Sequence, residues 1–183
     1  MDGSRFWLLT NTTYGTWLPG DARGSVTSVR PEGHSEPRIE HDIPGTPYEE
    51  ETPGLERSAR ALMRGPAIRL NRKQAQLLLA QFRETAAQRD WTLHAVAIMA
   101  NHFHLVAEVG NDPDPRKVLA DFKAYGSRAL NREFGKPASE TWWTSNGSKR
   151  KLSGDLAVES GVHYVLRQEY ALVIWPRSDD SEV

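Results

Sequence analysis

Residues 91–109 constrain the fold more tightly than any other stretch of this chain. Trp91–Met99 (WTLHAVAIM) and His102–Val109 (HFHLVAEV) are apolar runs interrupted only at Ala100-Asn101. Two such runs around so short a break predict a pair of antiparallel strands. Helical patterns flank the pair on both sides. Before it, Asn71-Arg-Lys-Gln74 has the spacing of a capping box, and Ala75, Leu78, Leu79, Phe82 and Ala86 recur at helical intervals as far as Arg89. After it, Asn111–Pro115 is a turn and helix start, and Lys117–Phe134 carries Val118, Leu119, Phe122, Gly126, Ala129 and Leu130 on one stripe.

Phe6–Thr13 predicts an opening, central strand and Asp155–Glu169 a last helix. Trp142–Trp143 predicts a short extended piece and Lys149-Arg-Lys151 a basic loop. The order is strand, long insertion, helix, strand, strand, helix, short strand, helix. An α+β fold accommodates it most simply: an antiparallel sheet with helices packed on it, close to the ferredoxin-like split βαβ layout. We expect one domain over residues 1–183, interrupted at about residues 20–60 by an acidic, Pro-rich segment. That segment is too poor in large aliphatics to build its own core, although Trp17, Ile39, Ile43 and Tyr48 offer anchors.

Composition removes several classes of function. The chain has no cysteine, which excludes a thiol nucleophile, a disulfide framework and a Cys-ligated metal. The longest apolar run, Ala95–Ala100, has six residues and does not span a bilayer. The N-terminal residues lack a signal-peptide pattern, so a cytoplasmic protein is expected, without a membrane partner. The net charge of −1 conceals a segregation: residues 32–57 hold eight acidic side chains against two basic, and residues 123–151 hold seven basic against two acidic. Such a distribution suits a polyanionic partner on one surface, and equally an acidic loop beside an ordinary surface helix.

His102 and His104 stand at i and i+2, so both imidazoles leave a strand on the same face while Phe103 and Leu105 enter the other. Two neutral imidazoles side by side can ligate one divalent metal. Two polar residues facing solvent give the same alternation. The surrounding string Ile98-Met-Ala-Asn-His-Phe-His-Leu-Val106 resembles the His-hydrophobic-His motif of single-tyrosine (HUH) transposases, and most of all the REP-associated tyrosine transposases among the IS200-like family. Thr10-Asn-Thr-Thr-Tyr-Gly-Thr-Trp-Leu-Pro-Gly-Asp21, Phe122-Lys-Ala-Tyr-Gly-Ser-Arg-Ala-Leu-Asn131 and Thr141-Trp-Trp-Thr144 extend the resemblance over most of residues 5–21 and 70–170.

The resemblance implies a metal-dependent endonuclease and strand transferase acting on single-stranded or hairpin DNA. A helical tyrosine would attack a phosphodiester, leaving a 5′-phosphotyrosine and a free 3′-OH. The cofactor would be Mg²⁺ or Mn²⁺ on His102 and His104. Tyr125, the only tyrosine on the helix that follows the histidines, is the expected nucleophile. Tyr14 and Tyr48 precede the motif, and Tyr164 and Tyr170 lie among packing residues in and after the last helix. In many such relatives a third ligand, Gln or Asn, lies one turn after the tyrosine. Here that position is Ala129, so Asp121 or water is the expected substitute.

DNA contacts are expected from Lys123, Arg128 and Arg132 on the tyrosine helix, from Lys149, Arg150 and Lys151, and from Trp143 stacking on a base. Relatives act as monomers or as homodimers. Two other readings stay open at this point: a domesticated, non-cleaving DNA-binding protein of the same fold, which the missing donor at Ala129 favours, and a metal hydrolase of small phosphoesters.

Overall fold

The computed structural model describes residues 4–23, 51–111 and 113–176. Its elements are β1 (Arg5–Thr12), α1 (Pro53–Ala61), α2 (Arg72–Gln88), β2 (Thr92–Ile98), β3 (His102–Val109), α3 (Pro115–Phe134), β4 (Ser148–Leu152), α4 (Asp155–Leu166) and β5 (Val173–Trp175). The strands form one antiparallel sheet in the order β4-β1-β3-β2-β5. The first four strands with α2 and α3 as crossovers give the expected ferredoxin-like α+β layout, and β5 extends its edge.

Local sequence accounts for the main boundaries. Asn71 accepts from the Gln74 backbone N–H at 2.9 Å while the Gln74 side chain accepts from the Asn71 N–H at 2.9 Å, so the capping box starts α2. Asp114 accepts from the Arg116 N–H at 2.9 Å and Pro115 occupies the first helical position of α3. The β2–β3 hairpin closes where Met99 N–H donates to His102 C=O at 2.9 Å.

Strand alternation divides the sheet into two packed faces. Leu9, Val96, Ile98, Phe103, Leu105, Ala107 and Val109 point toward α2 and α3, where Leu78, Phe82, Val118, Phe122 and Leu130 meet them. Phe82 sits at the centre, edge-on to Phe103 at 5.0 Å and to Phe122 at 5.5 Å between ring centroids. Gly126 lets α2 and α3 approach closely: a Cβ there would lie 2.9 Å from the Leu78 Cδ2 and 3.2 Å from the Phe82 Cε1. The opposite face carries Leu8, Ala95, Ala97, Met99, Val106 and Leu152 beneath α4, which contributes Val165.

Several expectations need correction. Lys149-Arg-Lys151 is not a loop but most of β4, an edge strand paired to β1 with Lys149 opposite Leu9, Arg150 opposite Leu8 and Lys151 opposite Trp7. Cationic side chains suit an edge, because they discourage pairing with a further strand. Trp142 and Trp143 form no strand; Thr13 and Trp143 make an isolated bridge, and both indoles are buried. Strand β5 was not expected. Within the 20–60 segment, Pro53–Ala61 is a helix with no buried residue. Residues 24–50 of that segment lie outside the described residues, Ile39, Ile43 and Tyr48 among them. Among the described residues no helix is long and apolar enough to cross a membrane.

Phe82 is fully buried between both crossover helices and the sheet. Phe82→Ala is expected to lower the unfolding free energy by about 3–5 kcal/mol through the lost burial and the cavity left behind, read as a shift of the urea midpoint at unchanged slope.

Candidate functional site

Both histidines stand where β3 begins, on the α4 face of the sheet. Thr12 pairs with His102 and Thr10 with His104 across the β1–β3 ladder. The two imidazole centroids are 4.8 Å apart. Each ring is held through its Nδ1. That of His102 lies 2.7 Å from the Asn101 Oδ1, which can only accept, so Nδ1 carries the proton and donates. That of His104 lies 2.6 Å from the Thr10 Oγ1. Anchoring at Nδ1 leaves both Nε2 atoms as the nitrogens that could ligate a metal.

Burial keeps the pair neutral. His104 is 7% exposed, and its loss of solvent, followed by the neighbouring His102, pushes its pKa down to about 3. His102 is lowered too, first by burial and then by the charge of Arg23. A neutral imidazole is the form that binds a metal.

The residue facing the pair is Tyr164 of α4. Its hydroxyl is 3.4 Å from the His104 Nε2, and its ring meets the His104 ring at 5.2 Å and 70°. Tyr164 is 49% exposed. Gly161 seats the helix here, since a Cβ on it would lie 2.8 Å from the Leu152 Cδ1. Gln168, four residues after Tyr164, donates its side-chain N–H to the Tyr164 C=O at 3.1 Å.

Tyr125 is elsewhere. It belongs to α3, on the opposite side of the sheet from the imidazoles, with the Arg128 guanidinium 4.9 Å and the Arg89 guanidinium 5.8 Å from its ring centroid. Asp121 shares that location and pairs with Arg89 at 3.1 Å, so the histidines receive no carboxylate from it. Among the described residues no group of three or more His, Asp or Glu side chains gathers around one point. The sheet separates the expected nucleophile and third ligand from the expected metal ligands. In the sequence Tyr164 reads as a packing residue because Val162, Val165 and Leu166 surround it. The spacing of an amide one turn after a tyrosine, absent at Tyr125, was the available signal.

The expected DNA contacts fall into three groups. Trp143 is 4% exposed, and its indole N–H donates to the Ser127 hydroxyl at 2.9 Å, so it offers no face to a base. Lys123 spends its ammonium on the Thr144 and Ser145 carbonyls at 2.7 and 3.0 Å, and burial lowers its pKa to about 8. It ties α3 to the following loop. Arg128, Arg132, Arg150 and Lys151 are exposed, whereas Lys149 is half-buried and donates to the Gly147 C=O at 2.7 Å. Arg150, opposite Leu8, shares the histidine face of the sheet.

A family model described as transposase, IS200-like, matches residues 67–168. No curated protein sequence matches the chain. A solved structure of a REP-associated tyrosine transposase bound to a REP hairpin is similar at 11% identity with a TM-score of 0.48, covering 91% of this chain and 66% of that one. This chain therefore spans just under two thirds of that protein's length.

Neutral, buried His104 gives stability a direction with pH. Its folded pKa of about 3 lies below the ordinary histidine value of about 6.5. Between those values the unfolded chain binds more protons than the folded one. The contribution of His104 is complete above about pH 6.5 and declines as pH falls toward about 3. Urea midpoints measured in chelator across this range are expected to fall with acidification, and His104→Asn to flatten the dependence.

Proposed function

The chain belongs to the IS200-like transposase family, and from that premise we propose that it cuts and rejoins single-stranded or hairpin DNA with Tyr164 as nucleophile. The observation that carries this reading is the Tyr164 hydroxyl 3.4 Å from the His104 Nε2. That contact joins the phenol to the two imidazoles at one locus on the α4 face.

The donor set fits a divalent cation. Two neutral imidazoles, each anchored through Nδ1, leave their Nε2 atoms for ligation. Gln168 stands four residues beyond the tyrosine, the place where many relatives carry Gln or Asn, and its amide has a hard carbonyl oxygen to offer. His102, His104 and Gln168 would thus hold Mg²⁺ or Mn²⁺. Bound there, such an ion would offset charge on the scissile phosphate and favour departure of the 3′-oxygen.

The chain's own residues supply the rest. The Tyr164 Oη forms a bond to phosphorus and the P–O3′ bond breaks, so the 5′-phosphate becomes esterified to tyrosine. The phenolic proton is balanced by the proton gained on the 3′-oxygen. A phenol is weakly nucleophilic below its pKa of about 10, so the cluster must favour its ionised form as the bond develops. Because one ester replaces another, a 3′-OH can reverse the step without an external energy source. Thr10 and Asn101 hold the imidazoles in orientation, and the exposed cations Arg150 and Lys151 supply attraction to the DNA backbone on the β4 edge.

The non-cleaving alternative leaned on Ala129, which offers no donor one turn after Tyr125. With Tyr164 the corresponding position is Gln168, and that objection disappears. Incubation with Mn²⁺ and hairpin oligonucleotides bearing single-stranded flanks should give a covalent protein–DNA adduct. Tyr164→Phe should reduce the adduct below detection while Tyr125→Phe retains it. Gln168→Ala should raise the Mn²⁺ concentration needed. DNA binding with no adduct in the unaltered protein would support the non-cleaving reading; loss of adduct in Tyr125→Phe alone would overturn the role of Tyr164.

A further inference from the structure

The turn after β1 brings an arginine to the histidines. Arg23 is tied down at several points. Its Nε donates to the Asp21 Oδ1 at 2.7 Å, and its Nη2 donates to the Asp21 Oδ2 at 2.6 Å and to the Thr16 C=O at 2.9 Å. Its guanidinium lies over the Trp17 ring, 5.2 Å from the centroid. Even so, the side chain is 54% exposed. Exposed ion pairs contribute little to stability, so this set of contacts matters chiefly for where it aims the guanidinium.

The turn that holds it is bonded to the hairpin residue that carries His102. The Thr16 hydroxyl donates to the Asn101 C=O at 3.2 Å, and the Asn101 side chain in turn holds His102. The backbone N–H of Thr13 also donates to the Asn101 C=O at 2.9 Å, so turn and hairpin are bolted together. Asp21 and Thr16 occupy Nε and Nη2; among the described residues no partner is recorded for Nη1.

We propose that Arg23 is a phosphate-positioning residue: its Nη1 edge receives a non-bridging oxygen of the DNA strand that runs past His102 and His104. The inference rests on the reading that these histidines face DNA. Its physical basis is charge. A fixed guanidinium beside a pair of imidazoles that takes a cation adds one repulsion, and a phosphate lying between them turns it into two attractions. Asp21 balances Arg23 while the phosphate is absent and keeps its planar fork oriented for a charge-assisted bond.

The test is binding of oligo-dT in chelator, followed by fluorescence anisotropy over a series of salt concentrations. It is independent of sequence recognition, metal and cleavage. Arg23→Ala is expected to weaken binding at low salt by at least about tenfold and to reduce the slope of log K against log salt by about 0.7, one phosphate contact on a single strand. Arg23→Lys keeps the charge and should restore the slope while recovering only part of the affinity. A purely structural role, holding the turn on Asn101, would lower affinity in both variants with the slope unchanged, and that result overturns the proposal. Failure of the unaltered protein to bind oligo-dT also overturns it. Adduct formation at Tyr164 is a separate readout, so an inactive but DNA-binding protein that shows the Arg23 slope change would refute cleavage and leave the phosphate contact standing.

Discussion

Everything in this molecule depends on the pairing of β1 with β3. That ladder is the centre of the sheet, running from Arg5 opposite Val109 to Thr12 opposite His102. Its register assigns Leu9, Phe103 and Leu105 to the crossover helices and Leu8, Val106 and the two imidazoles to α4. A slip of one residue would send both histidines into the aromatic core around Phe82 and bring Phe103 to the surface. The register also sets Thr10 against His104, so one pairing fixes core packing and ligand orientation together. Fold stability and site geometry are the same constraint seen from two faces.

Much of this architecture could be read from the residues. The Asn71–Gln74 box, the Ala100-Asn101 break and the helical stripe from Val118 to Leu130 are local signals, and the structure realises each of them. The failures are at positions where tertiary context decides. Lys149-Arg150-Lys151 looks like a loop because charge is abundant, yet one neighbour, β1, is enough to make a strand there. Strand β5 spans only Val173–Trp175 and has no pattern of its own. The adjacent tryptophans bury both rings because each indole N–H finds an acceptor, Asn131 for Trp142 and Ser127 for Trp143.

The site shows the same division. His102 and His104 declare themselves by alternation and by the motif around them. The nearness of Tyr164 to them does not, because order along the chain favours Tyr125, whereas proximity in space is set by which face each helix covers. Alternation already puts the imidazoles away from the face that Phe103 and Leu105 share with α3. Following that argument through would have pointed to the helix on the other side. Tyr125 instead sits among Arg89, Arg128 and Asp121, an assembly of charge and ring that ties the end of α2 to α3.

Gly161 has a consequence for how Tyr164 stands over the two imidazoles. It sits one turn before Tyr164, pressed on Leu152 at the sheet's margin with no room for a methyl group. The absence of a side chain there sets the height at which α4 rides, and therefore how far the phenol overhangs the imidazoles. A heavier residue would have to displace the Leu152 side chain or raise the helix that carries the tyrosine. The smallest residue in the chain thus bears on the gap between the phenol and the imidazoles.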